Sequence, residues 1–413
     1  MNKVLAVLML IVVSISFSQT DNSNIRSGAP NVFIDCSRCD KDFIRKEVTF
    51  VNYVWDRNNA DVHILFSKQK TGGGGKKYTL SFIGGKDFLG LNDTLSFVQN
   101  ESDSDDDARK KMVQTIKLGL IKYVSRTPIA SKINISFKTP KKGKDSIVKD
   151  EWDYWVFRTR LRGFTNGEKS RSFLNLFGSV SANRVTENLK VKISLHGSYN
   201  ESSFNYSGSD IVSISRYQGL FVSVIKSYND HFSYGLFTRS YGSIYDNLNY
   251  ALAIAPGIEY NIFPYSESTS RQLRIGYKLF AGFNNYNEET IYLKDKEFLG
   301  SEKLSVTLEL VQPWGTMEAE ISGAHYFHDF KLNSITLYNE FRINVMKGLT
   351  IDLHGRLSFI HDQIALPKGG VDLEEVLLQR KQLETSYEYF ASFGFTYSFG
   401  SIYNNIVNPR FGD

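Results

Sequence analysis

From Trp155 almost to the end of the chain, apolar and polar residues alternate with a period of two. In WVFRTRLRGF, Trp155, Phe157, Thr159, Leu161 and Gly163 fall on one face, and Arg158, Arg160 and Arg162 on the other. LKVKISLHGSY sets Val191, Ile193, Leu195 and Tyr199 against Lys190, Lys192, Ser194 and His196. RQLRIGYKLFAGF sets Leu273, Ile275, Tyr277 and Leu279 against Arg274, Gly276 and Lys278; TIDLHGRLSF sets Ile351, Leu353, Leu357 and Phe359 against Asp352, His354, Arg356 and Ser358. Alternation of this kind is the mark of strands with two unlike faces. About twelve such segments follow one another.

Short connections (VTEN, SYNDH, PYSES, PWGT, MKGL) alternate with longer polar ones (NESSFNYSGSD, NNYNEETIYLKDKEFLGS, PKGGVDLEEVLLQRKQLET). Turns at one end, loops at the other and an even strand count predict a transmembrane β-barrel with its apolar face outward. A soluble β-sandwich or lipocalin-like fold also alternates, but over a dozen strands its outward face would carry more charge than this one does.

The first 137 residues have a different rhythm. NVFIDC predicts a strand, and Asp40 can cap a helix through KDFIRKEVTFVNYV, where Ile44, Val48 and Val51 recur at helical spacing. DVHILFSKQ, KYTLSFIG and DTLSFVQ predict three strands, the first two joined across KTGGGGKK. The four glycines are not a phosphate loop, since Gly75-Lys76-Lys77 leads into a strand where that loop needs Gly-Lys-Ser/Thr opening a helix. ESDSDDDARKK precedes a helix with a stripe of Ala108, Met112, Thr115, Ile116, Gly119 and Tyr123, and its carboxylates suit the helix dipole. As a calcium site it lacks EF-hand spacing. KINISF predicts a last strand. The fold class expected is therefore an α+β N-terminal domain followed by an all-β transmembrane barrel of about twelve antiparallel strands.

MNKVLAVLMLIVVSISFSQT has Lys3, an apolar run from Val4 to Val13 and small residues at Ser16 and Ser18, so residues 1–18 read as a secretory signal. The domains expected are then 19–137 (α/β), 138–151 (a basic linker), 152–405 (the barrel) and 406–413 (a tail). Cys36 and Cys39, the only cysteines, can close a disulfide in an oxidising compartment; free thiols and redox chemistry are the alternatives, and zinc would need two further ligands. The net charge of +5 is small for 413 residues and is scattered, which argues against nucleic-acid binding. No cofactor is expected.

The charges assigned to the barrel interior differ in sign along the chain. Arg158, Arg160, Arg162, Lys190 and Lys192 come early; Glu309, Glu318, Glu320 and Glu340 come late, with Arg274, Lys278 and Arg356 among them. If the two groups meet, they fill the lumen; if the arginines stay unpaired, they favour anionic solutes. His196 and Ser198 share a face but lack a third group to orient a base, and His325 and His328 in HYFHD stand near a loop, so no catalytic or metal site is expected.

Three resemblances add to this. Ser392, Gly394, Tyr397 and Phe399 in SFGFTYSF resemble the C-terminal assembly signal of Gram-negative outer-membrane proteins, although the chain continues to Asp413 where family members usually stop. That likeness implies recognition by the barrel-assembly machinery. ADV, YTLSF and the long closing helix resemble, in topology, the N-terminal domain of the periplasmic protein of the Tol system. The abundance of Tyr, Phe, Asn and Lys, with cleavage before Gln19, resembles Bacteroidota envelope proteins. The function expected is a non-enzymatic outer-membrane barrel, embedded in lipid, that anchors a periplasmic domain engaging an envelope protein. The alternatives are a narrow channel for small anionic solutes, gated or plugged by that domain, and a barrel-embedded hydrolase.

Overall fold

The computed structural model describes residues 26–36, 39–136, 150–206, 209–346, 348–369 and 381–398. The expected signal segment, most of the linker, Phe399 and the tail 406–413 lie outside these residues.

The first unit runs β1 (Asn31–Asp35), α1 (Lys41–Glu47), β2 (Asn52–Tyr53), β3 (Val62–Lys70), β4 (Lys76–Gly84), β5 (Asp93–Gln99) and α2 (Asp105–Val124). Its sheet has the order β2-β1-β3-β4-β5, with β1 parallel to both neighbours and the remaining pairs antiparallel. Val32, Ile64, Leu80 and Phe82 point from the sheet onto Ile44, Ile116, Leu120 and Tyr123, forming one closed core. Gly119 is required there, because a Cβ would lie 2.1 Å from the Phe82 ring. Asp40 caps α1 by accepting from the Phe43 N–H at 2.8 Å, and Ser104 with Asp107 forms a capping box at the start of α2.

Two expected elements differ. The first helix stops at Glu47, because the β-branched Thr49 and Val51 fit an extended chain better and Asn52–Tyr53 pairs with β1 instead. Ile44, Val48 and Val51 are nonetheless all buried. KINISF forms no strand over its described residues 132–136. A 3₁₀ turn at Pro128–Lys132 carries Ile129 into the core, with Ile133 packed beside it, and leaves Ile135 exposed.

The second unit is a twelve-stranded antiparallel sheet: β6 (Trp155–Gly167), β7 (Arg171–Val185), β8 (Leu189–Tyr206), β9 (Ser209–Ser227), β10 (Phe232–Ser243), β11 (Leu248–Asn261), β12 (Arg271–Tyr286), β13 (Lys296–Gln312), β14 (Gly315–Tyr326), β15 (Asn333–Met346), β16 (Leu349–Ile360) and β17 (Tyr387–Tyr397). Every strand pairs with its sequence neighbour. The expected count and direction are therefore present, but closure is not: among the described residues no ladder joins β6 to β17. It is the neighbour pair of such a sheet whose strands lie farthest apart in the chain, so it carries the largest loop-closure cost. The expected long connection at 200–210 is mostly strand, because β8 and β9 continue their pairing out to Tyr206 and Ser209.

The sheet is curled. A single domain of about a hundred residues, with a radius of gyration of about 13 Å, touches both β6 and the β15–β16 turn. Laid flat, those strands would stand roughly 45 Å apart at about 4.7 Å per strand. The polar face is the concave one, since Ala365, beyond β16, packs against Tyr241, Leu248, Ala251 and Tyr286 on β10 to β12.

Candidate functional site

The concave face collects the charged residues, and the register fixes who meets whom. Glu309, Glu318, Glu340 and His354 are successive partners across β13 to β16, so three carboxylates lie side by side. Arg274, one strand away, bonds Glu309, which also accepts from Gln272 Nε2 at 3.1 Å. Thr307 donates to Glu320 at 3.3 Å, and Tyr338 to Glu340 at 3.1 Å. Lys278 faces Lys303 and lies 3.9 Å from the centroid of the Phe237 ring. Arg356 is paired in register with Tyr338 and Phe390.

The early bases do not join this group. Arg158 and Arg160 lie 3.6 and 4.0 Å from Glu101 of the first unit, and Arg158 also donates to the Gly73 carbonyl at 3.1 Å. Arg162, Lys190 and Lys192 form no ion pair among the described residues. Counted along the open sheet, β6 to β8 and β13 to β15 are separated by at least four strands. The Gly-rich turn is indeed a hairpin, and it has a second use. Gly74, at φ 80°, lets the backbone come so close to Arg158 that a Cβ would overlap the guanidinium.

The first unit sits across the turn end of the sheet. Arg57 donates to the carbonyls of Pro313 at 2.5 Å, in the β13–β14 turn, and Asn344 at 3.1 Å, near the turn end of β15. Gln69 donates to Ser268 Oγ at 3.1 Å, in the β11–β12 turn. Between them lies a cavity of about 350 Å³ lined by Phe33, Asp35, Lys41 and Trp55 from one side and Thr316, Arg342 and Thr350 from the other. Burial lowers the Lys41 pKa, and Arg45 and Arg342 add like charge against the pull of Asp35. Glu101, Arg57 and Gly74 have no local signal in the sequence, because their partners are remote in the chain.

The opposite end is covered by the segment after β16. Ile364 and Leu366 are buried, the Ala365 carbonyl accepts from Asn247 Nδ2 at 2.9 Å, and Lys368 pairs with Glu289 at 2.9 Å. Asn247, buried and at φ 56°, also donates to the Glu288 carbonyl and so ties two loops together.

His196 stacks on Tyr217 with centroids 5.2 Å apart, and no bond to Ser198 occurs among the described residues. His325 lies 2.8 Å from Glu302, against Phe327 and Phe330. No three metal-ligating side chains converge among the described residues. Cys36 and Cys39 are joined as a disulfide. Ser392 and Gly394 lie on the polar face of β17, opposite His354 and Asp352, while Tyr397 lies on the apolar face opposite Leu349. No protein family and no curated protein matches this chain.

Proposed function

We propose that the chain is an integral outer-membrane protein whose twelve strands form a closed barrel, holding the α/β domain on its periplasmic mouth to engage an envelope protein. The observation that carries this reading is the convex face. Leu161, Leu195, Leu236, Ile258, Leu304, Ile321, Phe393 and Phe395 are all exposed there, on seven different strands. Soluble monomers rarely expose contiguous apolar patches beyond a few hundred Å², whereas a barrel presents such a band to lipid. No helix among the described residues is long and apolar enough to cross a membrane, which says nothing of a strand-built span.

The stagger supports closure. Followed partner by partner, the row that starts at Tyr387, the loop end of β17, passes through Leu304 and Ile258 and arrives at Leu189, the turn end of β8. Setting β17 alongside β6 over their full lengths takes a shear of about twelve to fourteen residues. For twelve strands that tilts them by about 36–39°, inside the range of closed barrels. With an even count this last pair is antiparallel like the rest.

The α/β domain bonds to the turn end of the sheet and residues 364–366 are packed at its loop end, contacts that favour an anchor over an open pore. A second reading, a narrow anion channel stoppered by its own domain, draws on Arg158 and Arg160, whose carboxylate partner Glu101 belongs to the stopper. Planar-bilayer conductance of the mature chain beside one beginning at Asp150 separates them. Silence in both supports the anchor, and conductance in the shorter chain alone establishes the stopper. Failure of either chain to insert in lipid overturns the membrane reading.

A further inference from the structure

We infer that the convex face of β7 to β9 holds one net-anionic, phosphate-bearing lipid; this rests on the membrane reading above and gives that surface a specific occupant. Leu161, Gly178, Gly197, Gln218 and Gly242 are successive partners across five strands. Around the glycines is a groove of about 520 Å³, bordered by Leu161 beside Gly178 and, in the next row towards the loop end, by Leu176, Tyr199, Arg216 and Ile244.

Glycine weakens a strand interior and often marks a place where another molecule or backbone comes close. Within the chain nothing comes close at two of these positions. A Cβ on Gly178 would meet only Leu161 at 3.9 Å, and one on Gly197 only the Tyr217 carbonyl at 3.6 Å, both ordinary contacts. Gly242 differs, since its Cβ would lie 2.6 Å from the Asn249 carbonyl, so the fold itself requires that glycine. The groove over Gly178 and Gly197 adjoins the apolar side chains of Leu161 and Leu176.

The charge at one end of the groove selects the lipid. Along β9 the convex positions run Val224, Val222 and Leu220, then the polar pair Gln218 and Arg216, with Ile214 and Val212 beyond; on β8 the apolar run Val191, Ile193 and Leu195 gives way past Tyr199 to Glu201 and Ser203, so on that strand the band ends at this groove. Arg216 is exposed and forms no ion pair among the described residues. Tyr199, its register partner, donates to Glu201 at 2.5 Å and sits where tyrosines mark a membrane–water interface. A guanidinium at that depth presents forked donors to a phosphate, while the chain of the same lipid lies over the glycines.

The test is native mass spectrometry of the full mature chain in detergent micelles, titrated with phosphatidylglycerol and, separately, phosphatidylcholine bearing identical chains. One phosphatidylglycerol should be retained about five- to tenfold more tightly than phosphatidylcholine. Arg216→Gln should bring that ratio to about one without abolishing retention. Gly197→Leu should remove both lipids, and Gly197→Ala should weaken both while disturbing the strand least. Equal retention of the two lipids by the unaltered chain, or an unchanged ratio in Arg216→Gln, overturns the inference, as does a dimer of the chain in place of a lipid adduct. Vesicle flotation keeps the two readings apart: a chain that floats without lipid preference loses this site only, and one that never floats loses the membrane reading.

Discussion

The two units use the same kinds of residue with opposite sidedness. In the α/β domain Leu80, Phe82, Ile116 and Tyr123 are fully buried, and the sheet and helices close over them. In the twelve-stranded unit Leu161, Leu304, Phe393 and Phe395 point away from the chain, while Glu318, Glu340 and Arg274 line the concave face. Apolar burial is therefore internal to the first unit and has to be supplied by the surroundings for the second. The same alternating strand means a core in water and a surface in lipid, and which it is depends on where the charges lie.

The comparison predicts unequal responses to substitution. Phe82→Ala should cost the α/β domain about 3–5 kcal/mol, seen as rapid protease cleavage within residues 31–124 of the full chain while the strand unit stays resistant. Equal resistance of both units would mean that they share one cooperative core. Leu304→Arg, on the convex face, should cost about 2–4 kcal/mol of folded stability in a bilayer. Ser305→Arg, one residue along and on the concave face, should be nearly neutral; a reversed order would invert the assignment of the two faces.

The junction between the units offers a smaller lever. Arg57→Ala removes two charge-assisted bonds and should weaken docking by about 1.5–3 kcal/mol. A disulfide engineered with Gln69→Cys and Ser268→Cys, whose parent side chains bond at 3.1 Å, reports this: cross-linking should be fast in the unaltered background and slow with Arg57→Ala. If the yields are equal, the other rim contacts suffice to hold the domain.

Acid should act on the α/β domain first at α2. Bonds from Lys111, from Lys110 and Arg109, and from Ser104 hold the pKa values of Asp103, Asp106 and Asp107, respectively, below the usual carboxylate value. Their stabilisation is present above the unfolded carboxylate pKa and is lost as pH falls through the lower folded values. Hydrogen exchange in the first turn of α2 should therefore quicken, once corrected for intrinsic rates, as pH falls below the ordinary carboxylate value of about 3.9, while the Leu80 and Phe82 amides keep their protection. Protection at α2 that is flat with pH would leave these carboxylates without a stabilising role. The smallest effect expected is at Lys41. There the ammonium is the disfavoured form and stability rises as pH climbs from the folded pKa towards the unfolded one, so Lys41→Met should tighten docking slightly in the same cross-linking assay.

Much of both units was legible in the chain because the signals were local. The alternation in 155–164 and 350–359 placed β6 and β16, and the stripe from Met112 to Tyr123 placed α2. The first helix was read too long because Val48 and Val51 keep a helical spacing while serving the core from an extended segment. The stretch at 200–210 looked like a loop because it is mostly small and polar, yet β8 and β9 need only their backbones to go on pairing. Lys190 and Arg158 looked equivalent on their strands; only Arg158 has a carboxylate within reach, and it belongs to another unit.

By itself the sequence determined what repeats over short distances: strand periodicity, turn chemistry, helix caps and the segregation of charge to one face. These follow from backbone geometry and from neighbours two to four residues apart. Only the tertiary structure decided which charges meet, that the Gly-rich turn receives Arg158, that Arg57 joins the β13–β14 turn to the end of β15, and that residues 364–368 fold against the loop end. Those choices depend on curvature and stagger summed over twelve strands, and no short stretch of chain encodes that sum.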